Sequence, residues 1–173
     1  MNQAATPEYC RLMARYNAWV NTSLYAVCAS LSEEERRRAF AVHFQSVHGT
    51  LNHLLYGDLA WLGRFMGEPY AIISLTQELY GDFEELRQER KETDSAIMDW
   101  ADSITEERLG ETLTYRSNVD GVTRTLAVGI LAAHFFNHQT HHRGQLTTLL
   151  ALLGKEPPIT DIPWMPGQFL TAL

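Results

Sequence analysis

Basic residues are scarce in this sequence of 173 residues: 14 Lys and Arg stand against 21 Asp and Glu, which gives a formal net charge of −7. Binding to nucleic acid or to an anionic membrane surface needs clustered Lys and Arg. The one dense basic run, 36–38, directly follows three glutamates and has the pattern of a solvent-exposed helix face. The composition therefore argues against nucleic acid and anionic membranes as main partners.

Long apolar runs, a leader and a cysteine framework are missing as well. The longest apolar run, 126–133, is far shorter than the roughly 18 residues of a membrane-spanning helix. The first six residues carry no basic segment, so no secretory leader is predicted. Cys10 and Cys28 lie on one predicted helix, about 27 Å apart at a rise of about 1.5 Å per residue, and are expected to be free buried thiols. These features favour a cytoplasmic location.

Four stretches have the length and the apolar spacing of long helices. They run from about Thr6 to Ser30, His43 to Met66, Thr76 to Ala101 and Leu126 to Leu153. Between the last two, an Asp-Gly turn separates the β-branched segments 112–117 and 122–125, a pattern typical of a hairpin. The sequence therefore predicts an all-α four-helix bundle, with a short β-hairpin before the last long helix, in a single domain spanning 1–173.

All seven histidines fall in two short windows, 43–53 and 134–142. In the second window, four-residue spacing places His138 and His142 in adjacent turns on one helix face. This is the separation that two imidazoles on a helix need to bind one metal ion. Core histidines whose hydrogen bonds are satisfied have the same spacing, so spacing alone leaves both explanations open.

The other histidines are less clearly placed. His134 shares the face of this pair one turn earlier, and His141 lies about 100° away from it. Five-residue steps scatter His43, His48 and His53 around the second predicted helix, so at most two of them face inward. His53 lies beside small residues that would let another helix approach, whereas His48 lies at the edge of the apolar face. Helix geometry does not choose between these two.

Two polar residues bear on the chemistry. The segment 138–142 has the frame of the zinc-protease motif H-E-x-x-H, but Gln139 stands where a carboxylate must accept a proton, which argues against a peptidase. Asp58 is predicted to lie among apolar residues of the second helix. A buried carboxylate there either orients a ligand imidazole or serves as a base, and a helix-surface or capping role fits equally well.

Two segments, 47–65 and 133–145, resemble the DinB family of four-helix-bundle proteins. The combination Asn-His followed by Asn-His-x-x-His-His-Arg-Gly-Gln carries the resemblance, and similar segments at 16–21 and 161–165 extend it over nearly the whole chain. The family includes bacillithiol- and mycothiol-related thiol transferases, a mycothiol-dependent isomerase and many members without an established reaction.

The resemblance implies a metal site. One histidine of the second helix and two of the fourth bind a divalent metal in the DinB family, usually zinc or nickel, which implies His53, His138 and His142 here and selects His53 over His48. It also implies a homodimer and a small-molecule or thiol partner. Three neutral imidazoles leave a coordination position open for water or a thiolate.

The leading hypothesis is therefore a metal-dependent thiol S-transferase or hydrolase that acts on a small molecule. One alternative is a stress-related bundle that binds metal or ligand without catalysis. Another is a plain interaction bundle with a core lined by histidines.

Overall fold

The computed structural model of the protein describes residues 4–71 and 74–167. Its α-helices there are α1 (Pro7–Ala29), α2 (Glu33–Arg37), α3 (Val47–Met66), α4 (Phe83–Ser103), α5 (Glu106–Gly110) and α6 (Val128–Leu152). Strands β1 (Thr112–Arg116) and β2 (Thr123–Ala127) form an antiparallel hairpin between α5 and α6. A short 3-10 helix, Ile162–Trp164, follows α6.

The four long helices pack around one core. Helix α1 contacts α4 and α6, and α3 contacts the same two helices. Each contributes side chains that are almost completely buried, among them Leu24, Leu55, Leu86 and Phe135. The predicted four-helix bundle with a hairpin before the last long helix is confirmed. None of the described helices is long and apolar enough to cross a membrane.

Helix α1 begins where the sequence predicts. The Thr6 hydroxyl accepts a hydrogen bond from the Tyr9 backbone N–H at 3.2 Å, and Pro7 occupies the first turn. The predicted start of α3 at His43 is wrong by four residues. Gln45 has a φ of 62°, and the helix starts only after it, where Ser46 acts as the N-cap.

The start of α4 differs most from the prediction. The apolar spacing predicts Thr76, but the helix begins at Phe83, where the Asp82 carboxylate accepts two backbone hydrogen bonds from the first turn. The end of the segment before it is bound to Asn52 of α3, which competes with helix formation there. The Asn52 Oδ1 accepts hydrogen bonds from the N–H groups of residues 79 and 80 at 2.8 and 3.0 Å.

The first two residues of the last predicted helix belong to the hairpin instead. Leu126 pairs with Leu113 across the hairpin, and Ala127 pairs with Thr112, so α6 begins at Val128 rather than Leu126. The basic run at 36–38 falls in and just after α2, which has no buried residues. Arg37 and Arg38 are exposed, as predicted, whereas the half-buried guanidinium of Arg36 lies 4.4 Å from the Phe83 ring centroid. Helix α5 has no counterpart in the sequence-based prediction.

Both cysteines are free and completely buried, as predicted. Burial raises the pKa of Cys10 to about 11 and that of Cys28 to about 12. Because only the thiolate reacts, we expect neither thiol of the native protein to be modified by Ellman's reagent at pH 8. Both should react within minutes in denaturing urea. Rapid release of one or two equivalents of chromophore from the native protein would contradict this prediction.

Candidate metal centre

Three imidazoles meet in the groove between α3 and α6. His53 projects from α3, and His138 and His142 project from adjacent turns of α6. One ring nitrogen of each lies within 4.8 Å of the others. The Nε2 atoms of His53 and His142 are 3.2 Å apart. Two ligand atoms bound tetrahedrally at about 2.0–2.1 Å from one zinc ion would be about 3.3 Å apart. The cluster is therefore compatible with one divalent metal ion.

A glycine allows the two helices to approach this closely. A Cβ atom on Gly57 would lie 2.7 Å from Cε1 and 3.2 Å from Nδ1 of His138. Real Cβ atoms essentially never show the shorter of these separations. The sequence predicts that small residues beside His53 leave room for another helix, and at Gly57 the space is filled by a histidine of the cluster.

Replacing Gly57 by alanine is expected to move the His138 imidazole and weaken metal binding by about 10–100-fold, the range for mutations of groups that orient metal ligands. The fold should tolerate the change, because a side-chain ring moves and helix propensity improves. Metal affinity by competition with a chromogenic chelator provides the measurement. The matched control is Gly144→Ala in α6, where a Cβ meets nothing within 4 Å. Equal metal affinities for the two variants would contradict the prediction.

Hydrogen bonds fix the tautomers of two imidazoles. The Nδ1 of His53 lies 3.1 Å from the Leu75 carbonyl oxygen, and the Nδ1 of His142 lies 2.8 Å from the Gln145 Oε1. Both oxygens can only accept, so each Nδ1 carries the hydrogen. In the neutral rings, both Nε2 atoms then present lone pairs to each other at 3.2 Å. Core histidines that satisfy each other would not face in this way, whereas ligands of one cation would.

The environment keeps these rings neutral. Burial, and the neighbouring His142, lower the pKa of His53 to about 4. Burial and the surrounding histidines lower the pKa of His138 to about 3, and burial lowers that of His142. All three are deprotonated at pH 7, the state in which imidazole binds metals. The buried Nδ1 of His138 has no hydrogen-bond partner among the described residues. Buried polar atoms of a protein core are usually hydrogen-bonded, so this unsatisfied atom fits a metal site better than a purely structural role.

His48, the alternative to His53 in helix geometry, lies outside the cluster. Its Nε2 is 2.9 Å from the Tyr80 carbonyl oxygen and 3.3 Å from the Arg37 guanidinium. It is buried, but it holds the segment that precedes α4. The structure brings His53, not His48, together with the histidines of α6.

The remaining histidines lie around the cluster and are exposed. His134 packs edge-on against Trp61, with ring centroids 5.1 Å apart. His141 Nε2 is 3.2 Å from the amide nitrogen of Gln145, whose oxygen faces His142. His43 packs against the neighbouring phenylalanine. None of the three is a member of the cluster. Gln145, the last residue of the family motif, therefore contacts both His141 and His142.

Asp58 lies away from the imidazoles in a buried ion pair. Its Oδ2 is 2.6 Å from Nη1 of Arg90, and its Oδ1 accepts a hydrogen bond from Gln139 Nε2 at 2.8 Å. Both oxygens are thus engaged, which favours a structural role. Orientation of a ligand imidazole or proton transfer by Asp58 stays a prediction without a supporting contact among the described residues. Gln139 donates to this carboxylate, which accounts for the amide in the H-E-x-x-H frame.

The Asp58 pair belongs to a buried polar network that joins the four long helices and that the sequence analysis missed. Arg90 also approaches Asp94, with Nη2 2.9 Å from Oδ1, and Arg143 donates to Asn17. Two arginines and two aspartates balance in charge. The members are Asn17 and Asn21 of α1, Asp58 of α3, Arg90 and Asp94 of α4, and Gln139 and Arg143 of α6, all buried.

A cleft of about 650 Å³ opens beside the three imidazoles, between α3, α6 and the hairpin. Its volume is that of a small-molecule site. Four aromatic side chains contribute to its wall: Phe44, Tyr56, Trp61 and Tyr115. The Phe44 ring stacks on His53 with centroids 3.7 Å apart and so fixes the plane of that imidazole.

Fold and site together define the class: a four-helix bundle with a three-histidine cluster, compatible with a divalent metal, at the end of a small-molecule cleft. The chain belongs to the DinB family, whose model matches residues 1–168. It is similar to Protein DinB of Bacillus subtilis (strain 168), with 26% identity over 152 residues that cover 84% of this chain and 87% of that protein. The family resemblance drawn from the sequence is confirmed.

Proposed function

We propose that the protein binds one divalent metal ion through His53, His138 and His142, and catalyses metal-dependent thiol transfer to, or hydrolysis of, a small molecule in the adjoining cleft. The observation that carries the proposal is the pair of facing Nε2 lone pairs at 3.2 Å, with a third imidazole beside them. Zinc or nickel suits such a donor set. With three neutral ligands, such an ion would offer an open coordination position and would lower the pKa of a thiol or water bound there.

The chain's own residues prepare this chemistry. The Leu75 carbonyl and Gln145 hold the Nδ1 hydrogens and direct the Nε2 lone pairs inward. Phe44 covers one face of His53 and limits access of water to it. The aromatic wall of the cleft would hold the apolar part of an electrophile next to the imidazoles.

The test is metal analysis followed by turnover, on protein purified without a histidine tag. We expect about one equivalent of zinc or nickel per chain. Conjugation of low-molecular-weight thiols to a model electrophile, or hydrolysis of an activated ester, should be lost on chelation and restored by the same metal. Protein that takes up less than stoichiometric metal under saturating conditions would contradict the metal site itself.

A specific observation favours a second function, a metal- or ligand-binding bundle without catalysis. Among the described residues that line the cleft, Asp120 is the one carboxylate, and Arg124 holds it at 2.6 and 2.9 Å, so no free carboxylate base stands beside the imidazoles. Stoichiometric metal, a large loss of thermal stability on chelation and no metal-dependent turnover would together establish this alternative over the enzyme.

A further inference from the structure

Arg64 is a half-buried cation in the wall of the cleft. It stands eleven residues after His53 on α3, which at about 100° per residue places both on one face, about three turns and about 16 Å apart along the axis. Helical side chains lean towards the N-terminus, so Arg64 extends back towards the imidazoles. Its guanidinium carbon lies 4.7 Å from the Trp61 ring centroid and 5.1 Å from that of Tyr115. These aromatic contacts hold the cation in place.

None of the acidic side chains that the structure describes neutralises Arg64. In the part of the chain that the structure describes, no carboxylate oxygen lies within 4.0 Å of its guanidinium. Its hydrogen bond to the Arg116 carbonyl oxygen is long, at 3.5 Å. Arg124, at the same cleft, pairs with both oxygens of Asp120. A half-buried guanidinium that has no acidic partner among the described residues is the side chain that most readily takes up a carboxylate.

The charge of the cleft has the opposite sign to that of the chain. The formal net charge of the protein is −7, yet among the described lining residues Arg64 and Arg124 face the single acid Asp120. A divalent ion held by the three imidazoles would add two further positive charges. Low-dielectric walls focus such a field and draw anions into the cleft.

We propose that Arg64 is the anion receptor of this cleft, and that the cleft binds a small organic carboxylate whose carboxylate pairs with Arg64 and whose other end reaches the three imidazoles. The apolar body of the molecule lies against Trp61 and Tyr115. Because the arginine side chain covers part of the distance to His53, the molecule spans on the order of 10 Å. The part of this proposal that places one end of the molecule at the three imidazoles rests on the proposed function, whereas the pairing of the carboxylate with Arg64 does not.

The experiment uses two probes with the same skeleton, 4-phenylbutyrate and 4-phenylbutanol, in calorimetric titrations of the metal-loaded and the chelator-treated protein. We expect the carboxylate to bind at least about tenfold more tightly than the alcohol in both states, from one charge-assisted hydrogen-bonded pair. Arg64→Met should abolish this preference and leave the affinity for the alcohol unchanged. Arg64→Lys should retain part of it, because lysine keeps the charge but not the planar fork.

The matched control is Arg87→Met in α4, which removes one positive charge outside the cleft and should keep the preference. The proposal would be overturned if Arg64→Met and the unsubstituted protein showed the same preference for the carboxylate. It would also be overturned if neither probe bound at millimolar concentration. Loss of the preference on chelation would overturn it too, because the carboxylate would then be a metal ligand. A protein that lacks metal or turnover but retains the Arg64-dependent preference would contradict the proposed function alone.

Discussion

Replacing His138 by alanine is expected to lower the affinity for the divalent metal by at least about 100-fold, so that the purified variant contains almost none. Changes to groups that merely orient a ligand cost about 10–100-fold, and this change removes a ligand of the proposed site. Two imidazoles would remain, His53 and His142, each still oriented by its Nδ1 hydrogen bond. Elemental analysis after dialysis against a defined metal buffer gives the content of each variant.

His134→Ala is the control for this experiment. His134 stands one turn before His138 on the same helix, with ring centroids 6.0 Å apart, but it is not a member of the three-histidine cluster. We expect its removal to leave the metal content at one equivalent. Full metal occupancy in His138→Ala, or equal losses in both variants, would show that the ion is held elsewhere or by another set of histidines.

The second large effect concerns stability. Replacing Arg90 by methionine is expected to lower the free energy of unfolding by about 3–5 kcal/mol, the loss typical when one partner of a buried ion pair is removed. Arg90 lies between Asp58 and Asp94, which are 1% and 6% exposed. Both carboxylates would be left buried without their nearest cation. Urea denaturation followed by circular dichroism measures the change.

The loss in free energy of unfolding of Arg90→Met should depend on pH in a defined direction. Burial raises the pKa of Asp58 and of Asp94, and the Arg90 guanidinium opposes that rise. Without Arg90 both folded-state pKa values rise further above their unfolded values. A protonated buried carboxyl then stabilises the folded state at low pH, and this contribution is lost as the pH rises through the folded pKa. The variant should therefore be closest to the unsubstituted protein in mild acid and furthest from it above pH 7.

Two further variants isolate the role of burial. Arg124 and Asp120 are separated by the same 2.6 Å as Arg90 and Asp58, but they lie at the surface. Arg124→Met should leave stability almost unchanged. Adding Asp58→Asn to Arg90→Met restores the charge balance with Arg143 and should recover part of the loss. A small effect of Arg90→Met, comparable with that of Arg124→Met, would contradict the ionic description of the network.

The sequence predicts the four long helices because each carries an apolar stripe, but it misplaces their starts where another segment intervenes. The start of α4 is set by Asn52, 31 positions before Phe83, through contacts that no local pattern contains. The start of α3 is delayed by a local cause, the left-handed backbone conformation of Gln45. Helix existence follows from local periodicity, whereas the start of α4 depends on hydrogen bonds from another helix.

The residues of the candidate site show the same contrast between local pattern and tertiary packing. His138 and His142 follow from spacing within one helix, whereas His53 required the family resemblance. Both His48 and His53 are buried, so the apolar pattern cannot separate them. What separates them is the close approach of α6 at Gly57, a property of the packed bundle.

The buried network left only a weak signal in the sequence. Arg90 interrupts an apolar stripe, four residues after Leu86 and seven before Ile97, both completely buried. Its partners come from other helices, however, so their pairing cannot be read from any single stretch.

Helix α6 contributes adjacent residues to the three-histidine cluster and to the buried polar network. His138 and His142 point into the cluster, while Gln139 and Arg143, each one position later, point into the polar network. A rotation of α6 that withdrew the imidazoles would therefore also break the bonds to Asp58 and Asn17 in the core. The helix is locked against turning about its own axis. A ligand therefore enters and leaves the cleft with the imidazoles held in place.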